Sequence, residues 1–101
     1  MKITNLKNAE KVPFNIEGHK MHIGEELEVI HLKLKPGEKL EIHSNPVDVV
    51  FYVIEGKGIF LTEKAETIIE KDSCFRITAD TLRGWKNNSD SNLKILVIKI
   101  L

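Results

Sequence analysis

The sequence predicts an all-β fold of about eight antiparallel strands in a single domain over residues 1–101. Three observations carry that prediction: apolar residues recur with period two rather than 3.6 over most of the chain, the alternating runs are short, and turn residues separate them. A length of 101 residues suits one hydrophobic core, since two domains would each fall near the lower limit of independent stability. A hydrophobic fraction of 42% beside 30% charged residues is far from the composition of disordered chains, so that core is expected to form.

The first 25 residues carry the weakest pattern. There "LKNAEKV" (6–12) reads as a helical turn and "FNIEGHKMHIGEE" (14–26) as an irregular or hairpin segment. The first clear strand is "ELEVIHLKLK" (26–35), with Ile30, Leu32 and Leu34 on one face and a Pro36-Gly37 turn closing it. "KLEIHS" (39–44) follows and breaks at Asn45-Pro46. "VVFYVIEG" (49–56) is apolar on both faces, as expected of a central strand covered on each side. Gly56 and Gly58 frame a reversal into "IFLT", which turns back through a polar hairpin at Glu63 to Glu66. "SCFRIT" (73–78), "LRGWKN" (82–87) and "LKILVIKIL" (93–101) complete the set. The last of these is apolar on both faces; as an uncovered edge it would be an aggregation hazard, so a further sheet or a second subunit is expected to cover it.

Composition excludes several classes of function. Fifteen Lys plus Arg balance fifteen Asp plus Glu, and no basic run or stacking-aromatic cluster appears, so nucleic acid is not an expected partner. No apolar stretch approaches the roughly 18 residues needed to span a bilayer, and the start "MKITNLKNAEKVPF" lacks a signal-peptide core; no membrane partner and a cytoplasmic location are expected. The single Cys74 can form no internal disulfide, and its alternating context predicts a buried small hydrophobe.

In its spacing, the segment 37–87 resembles the cupin family of small β-barrels of the jelly-roll class. The family's first motif runs Gly, five residues, His-x-His, three or four residues, Glu, six residues, Gly. Here Gly37 is followed after five residues by His43, Ser44 and Asn45, with Val49 and Val50 where the glutamate would be and Gly56 at the closing glycine. The second motif runs Gly, five residues, Pro-x-Gly, two residues, His, three residues, Asn. In "KDSCFRITADTLRGWKN", Lys71 stands at the first glycine, Ala79 and Asp80 near Pro-x-Gly, Arg83 at the histidine and Asn87 at the asparagine. The resemblance covers residues 26–100 and implies a single-domain cupin-type jelly-roll barrel with a degenerate metal motif. It also implies homodimerisation, which the two-faced final strand independently suggests.

Of the four positions that hold a divalent metal in the family, only His43 keeps a ligand type, while Asn45, Val49 and Arg83 replace a His, a carboxylate and a His. A transition-metal site needs three or four N, O or S donors, and an arginine offers no lone pair. No metal and no cofactor are therefore expected; the residual candidates would be His43, Asn45 and Asp48. His19 and His22 read as solvated loop histidines, because the glycines around them argue against the helix that would align them. His31 is expected on the strand face opposite Ile30 and Leu32, at the surface or in an interface.

Strand alternation predicts an interior shared by His43, Glu41, Asn45, Val49, Phe51, Val53, Arg83 and Trp85. A guanidinium there needs an acceptor. A ligand carboxylate or phosphate would make Arg83, His43, Asn45, Phe51 and Trp85 a binding pocket for a small anionic organic molecule. An internal Glu41, Asp48 or Asp80 would make Arg83 a structural ion pair. Two alternatives stand beside anion binding. One is a small isomerase, epimerase or lyase with His43 as the catalytic acid/base; the other is a filled barrel serving a structural or interaction role. Tyr52 should lie opposite Phe51 with its hydroxyl at the rim.

Overall fold

The computed structural model describes residues 1–101 and contains ten strands and no helix. They are β1 (Glu10–Lys11), β2 (Glu17–Ile23), β3 (Leu27–Leu34), β4 (Lys39–His43), β5 (Asp48–Glu55), β6 (Gly58–Thr62), β7 (Glu66–Ile69), β8 (Cys74–Ile77), β9 (Arg83–Lys86) and β10 (Leu93–Ile100). The eight strands from β3 onward are those the alternation predicts. The first 25 residues add two more, β1 and β2, where the sequence suggested a helical turn and an irregular or hairpin segment.

All pairings are antiparallel. A six-stranded sheet in the order β1-β2-β3-β10-β5-β8 faces a four-stranded sheet in the order β4-β9-β6-β7. The strands form two opposed sheets rather than a barrel closed by continuous pairing. β10 is not an edge: it pairs along its whole length with β3 on one side and from Lys94 to Ile100 with β5 on the other. Its backbone is satisfied, and what stays uncovered is its outward face.

The core lies between the sheets. Ile30, Leu32 and Leu34 of β3, Leu93, Ile95 and Val97 of β10, and Val49, Phe51 and Val53 of β5 point inward onto Phe60 and Trp85 of the smaller sheet. This is the period-two pattern expressed as burial, since the intervening residues of β3, β5 and β10 stay partly exposed. Cys74 departs from expectation. It is exposed, because the inward positions of the sheet-edge strand β8 are Phe75 and Ile77 and the thiol faces out.

Turn chemistry fixes the connections. Gly56 takes φ 77°, a left-handed conformation, at the reversal into β6. At Asp72 (φ 64°) and Asp80 (φ 65°) the same conformation is carried by aspartates, which tolerate it better than most residues. Asn87 is 1% exposed and fully bonded: its amide donates to the Leu34 carbonyl (2.9 Å) and the Ser91 carbonyl (2.8 Å), and its oxygen accepts from Ser89 N (3.1 Å) and Oγ (2.7 Å). It thereby ties the end of β9 to the end of β3 and organises the turn-rich 87–92 segment.

Candidate functional site

Arg83 opens β9, the strand flanked by β4 and β6, and stands in register with His43 on one side and Thr62 on the other. It is 3% exposed. Its Nη1 donates to the His43 carbonyl at 3.0 Å, its Nε is buried with no partner, and its guanidinium carbon sits 5.9 Å from the centroid of the Phe51 ring. Burial lowers the Arg83 pKa from its ordinary value, although arginine keeps its charge at neutral pH.

The internal carboxylates that could have neutralised this cation are all engaged or turned away. Glu41 is exposed and pairs with Lys39 at 3.5 Å. Asp48 accepts from Arg76 Nε (3.0 Å) and Nη2 (2.6 Å) and from the Ala79 amide (2.8 Å). Asp80 is exposed. No carboxylate lies within ion-pair distance of Arg83. The structural ion pair considered from the sequence is absent, and only a neutral backbone oxygen and an aromatic face meet the charge.

The expectation that Glu41 points inward fails for a local reason. The β4–β9 register shifts between Leu40 and His43, and across such an irregularity the strict alternation of faces is lost. Gly84 makes the close approach of the two strands possible, since a Cβ there would overlap the Leu40 carbonyl oxygen. Beyond the shift, His43 is half-buried, with Nδ1 2.9 Å from the Glu41 carbonyl. A carbonyl only accepts, so Nδ1 carries a proton, and in the neutral ring the lone pair is on Nε2. Phe14 flanks the imidazole at 6.4 Å between ring centroids.

Phe51 and Trp85 face the interior, 5.5 Å apart in an edge-to-face arrangement. Phe60 and Phe75 complete a four-ring cluster with them, at centroid separations of 4.9–6.0 Å. These last two rings were not singled out from the sequence, although their places in "GIFLT" and "SCFRIT" carried the signal. Of the four rings, Phe51 is the one that lies against the Arg83 guanidinium. Asn45 is half-buried beside this region; it makes no side-chain hydrogen bond to Arg83 or His43, and its carbonyl accepts from the Asp80 amide at 2.7 Å. Tyr52 lies on the other face of β5, as expected, and its hydroxyl donates to Asp72 at 2.9 Å.

The donor set does not fit a metal at the position that the resemblance implies. Arg83 and Val49 supply no lone pair, and nowhere do three His, Cys, Asp or Glu side chains converge as a metal-binding group. A cavity of about 980 Å³ also lies elsewhere, between residues 1–4 and the β2 segment 20–23.

The cupin domain model matches residues 30–99 of this chain. No curated protein matches it. Among solved structures, TT1209 from Thermus thermophilus is 24% identical, with a TM-score of 0.81 over 99% of this chain and 97% of that one. The polyketide cyclase RemF from Streptomyces resistomycificus is 12% identical with a TM-score of 0.86, covering 99% of this chain and 79% of that one. KdgF from Halomonas sp. is 17% identical with a TM-score of 0.79, covering 98% and 94%. At these identities the likeness is one of fold.

Proposed function

The chain belongs to the cupin family, and on that premise we propose that it binds a small organic anion through Arg83, without a metal. One observation carries this reading: a guanidinium 3% exposed, with a single hydrogen bond to a neutral carbonyl and a buried, unpartnered Nε. An unpaired charge removed from water costs several kcal/mol, and an incoming carboxylate or phosphate oxygen offsets that cost where no side chain of the protein does. The ring cluster limits how deep a ligand reaches, so the anionic tip meets Arg83 while the rest of the molecule lies toward His43 and Phe14. His43 Nε2, free of internal partners, would orient it.

Titration of the protein with acetate and with inorganic phosphate, using neutral acetamide as the control, tests the reading. Saturable binding of either anion is expected, with the melting temperature raised as ligand exceeds its dissociation constant. Arg83→Gln should weaken it by roughly ten- to a hundredfold, the range of a charge-assisted hydrogen bond. Equal binding of acetamide, or undiminished binding by the Arg83→Gln protein, would overturn the reading. The filled interior would then favour a structural or interaction role.

The geometry of His43 favours a second reading, a small isomerase, epimerase or lyase. Its Nδ1–H is held by the Glu41 carbonyl, leaving Nε2 as a base beside a cation able to stabilise enolate-like charge. RemF is a polyketide cyclase, so the fold does host enzymes, but fold alone is a weak guide to chemistry. Full turnover of an identified substrate by the His43→Ala protein would exclude that role.

A further inference from the structure

The outward face of the six-stranded sheet carries a second cluster, unrelated to Arg83. His19 on β2 and His31 on β3 stand directly opposite one another in the antiparallel register, which sets their Cβ atoms about 4.5–5.5 Å apart. Alternation turns both away from the core, because their neighbours Gly18 and Leu32, Lys20 and Ile30 pair on the inward face. His19 is nevertheless 6% exposed and His31 is half-buried, so neither is the solvated loop histidine that the sequence suggested for position 19. The Nδ1 atom of each ring is buried and has no hydrogen-bond partner. Two orphaned ring nitrogens on facing positions of adjacent strands call for one shared partner.

The charges around the pair leave room for a cation. Burial first, then Lys94 and His19, hold the His31 pKa below its ordinary value against the opposing pull of Glu17. Lys94 is itself paired with Glu55 at 3.7 Å. Glu17 lies two residues before His19, on the same face of β2, and opposes the remaining charge of Lys33 across the register.

We propose that His19 and His31 form a two-imidazole site for a borderline transition-metal ion of the Zn²⁺, Ni²⁺ or Cu²⁺ type. Such ions take imidazole nitrogen at about 2.0–2.1 Å, which places two ligating nitrogens about 3.3 Å apart in tetrahedral geometry. Rings carried on facing strand positions span that gap. No third His, Cys, Asp or Glu converges on the pair, so the protein supplies only two ligands to the ion. The site therefore binds reversibly and more weakly than a structural zinc, which takes four protein ligands. Hard, oxygen-seeking Mg²⁺ and Ca²⁺ are not bound.

Chelator-treated full-length protein titrated with Zn²⁺, with the histidine ring nitrogens followed by NMR, tests the site without any substitution. The expected result is a saturable, joint perturbation of the His19 and His31 rings while His43 is unaffected. His19→Gln and His31→Gln should each lower the affinity by roughly tenfold or more, and exposed His22→Gln should leave it unchanged. A response confined to His22, or no saturable response up to about millimolar ion, would overturn the proposal, the latter pointing to a bridging water as the shared partner. Arg83→Gln should leave Zn²⁺ binding intact, so this proposal and the anion reading stand or fall separately.

Discussion

At the scale of single residues, the decisive placements are those where a polar side chain lost its expected partner. Arg83 faces inward as alternation predicted, yet the carboxylates expected to meet it are exposed or held by Lys39 and Arg76. His31 offers a test in pH dependence. Its folded-state pKa lies below the ordinary 6.5, so in the window under 6.5 the unfolded chain binds more protons than the folded one. Its contribution to stability is complete above pH 6.5 and is lost as the pH falls through the depressed folded value. Urea midpoints measured across that window should decline with acidification in the parent and be flatter in His31→Gln. An identical slope in both proteins would show that His31 does not set it.

At the scale of elements, the eight strands from β3 onward were legible because each alternates cleanly between turn residues. β2 was not, since "EGHKMHI" offers no alternation and becomes a strand only through its pairing with β3. Gly18 belongs to that pairing: a side chain there would collide with Val12, a contact between segments that no local pattern reports. The irregularity in β4 was equally invisible, and it is what turned Glu41 outward. Gly84 permits it by letting the β4 backbone approach. Gly84→Ala should therefore destabilise the fold by about 1–3 kcal/mol, as overpacking against backbone does, and loosen the His43–Arg83 contact. Denaturant midpoints measure the first effect and anion titration the second; unchanged values in both would show that the strands have room to spare.

At the scale of the whole molecule, the outward face of the six-stranded sheet is the surface without a partner. Leu27 and Val29 of β3, Leu96, Ile98 and Ile100 of β10, and Val50 and Tyr52 of β5 lie side by side there, all only partly buried. A contiguous apolar patch of this kind marks an interaction surface. A second copy of the chain suits it: the formal net charge is zero, and the charges bordering the patch are opposite-sign pairs, Lys94–Glu55 and Arg76–Asp48, so no like-charge field opposes self-association. Light scattering after size exclusion should report a dimer at tens of micromolar, and Ile98→Lys should convert it to a folded monomer. A monomeric parent protein would exclude this use of the face. No helix of the chain is long and apolar enough to cross a membrane.

The sequence by itself determined the succession of strands, the inward set of apolar residues and the family, because alternation and turn chemistry act over a few residues and leave their mark in a few residues. Tertiary structure alone decided which partner each buried polar group met. Whether Arg83 finds a carboxylate, and whether two histidines twelve residues apart in sequence face one another, depends on strand register and on a single irregularity. A shift of one residue exchanges the two faces of a strand, and pairing between distant segments, rather than local pattern, sets that register.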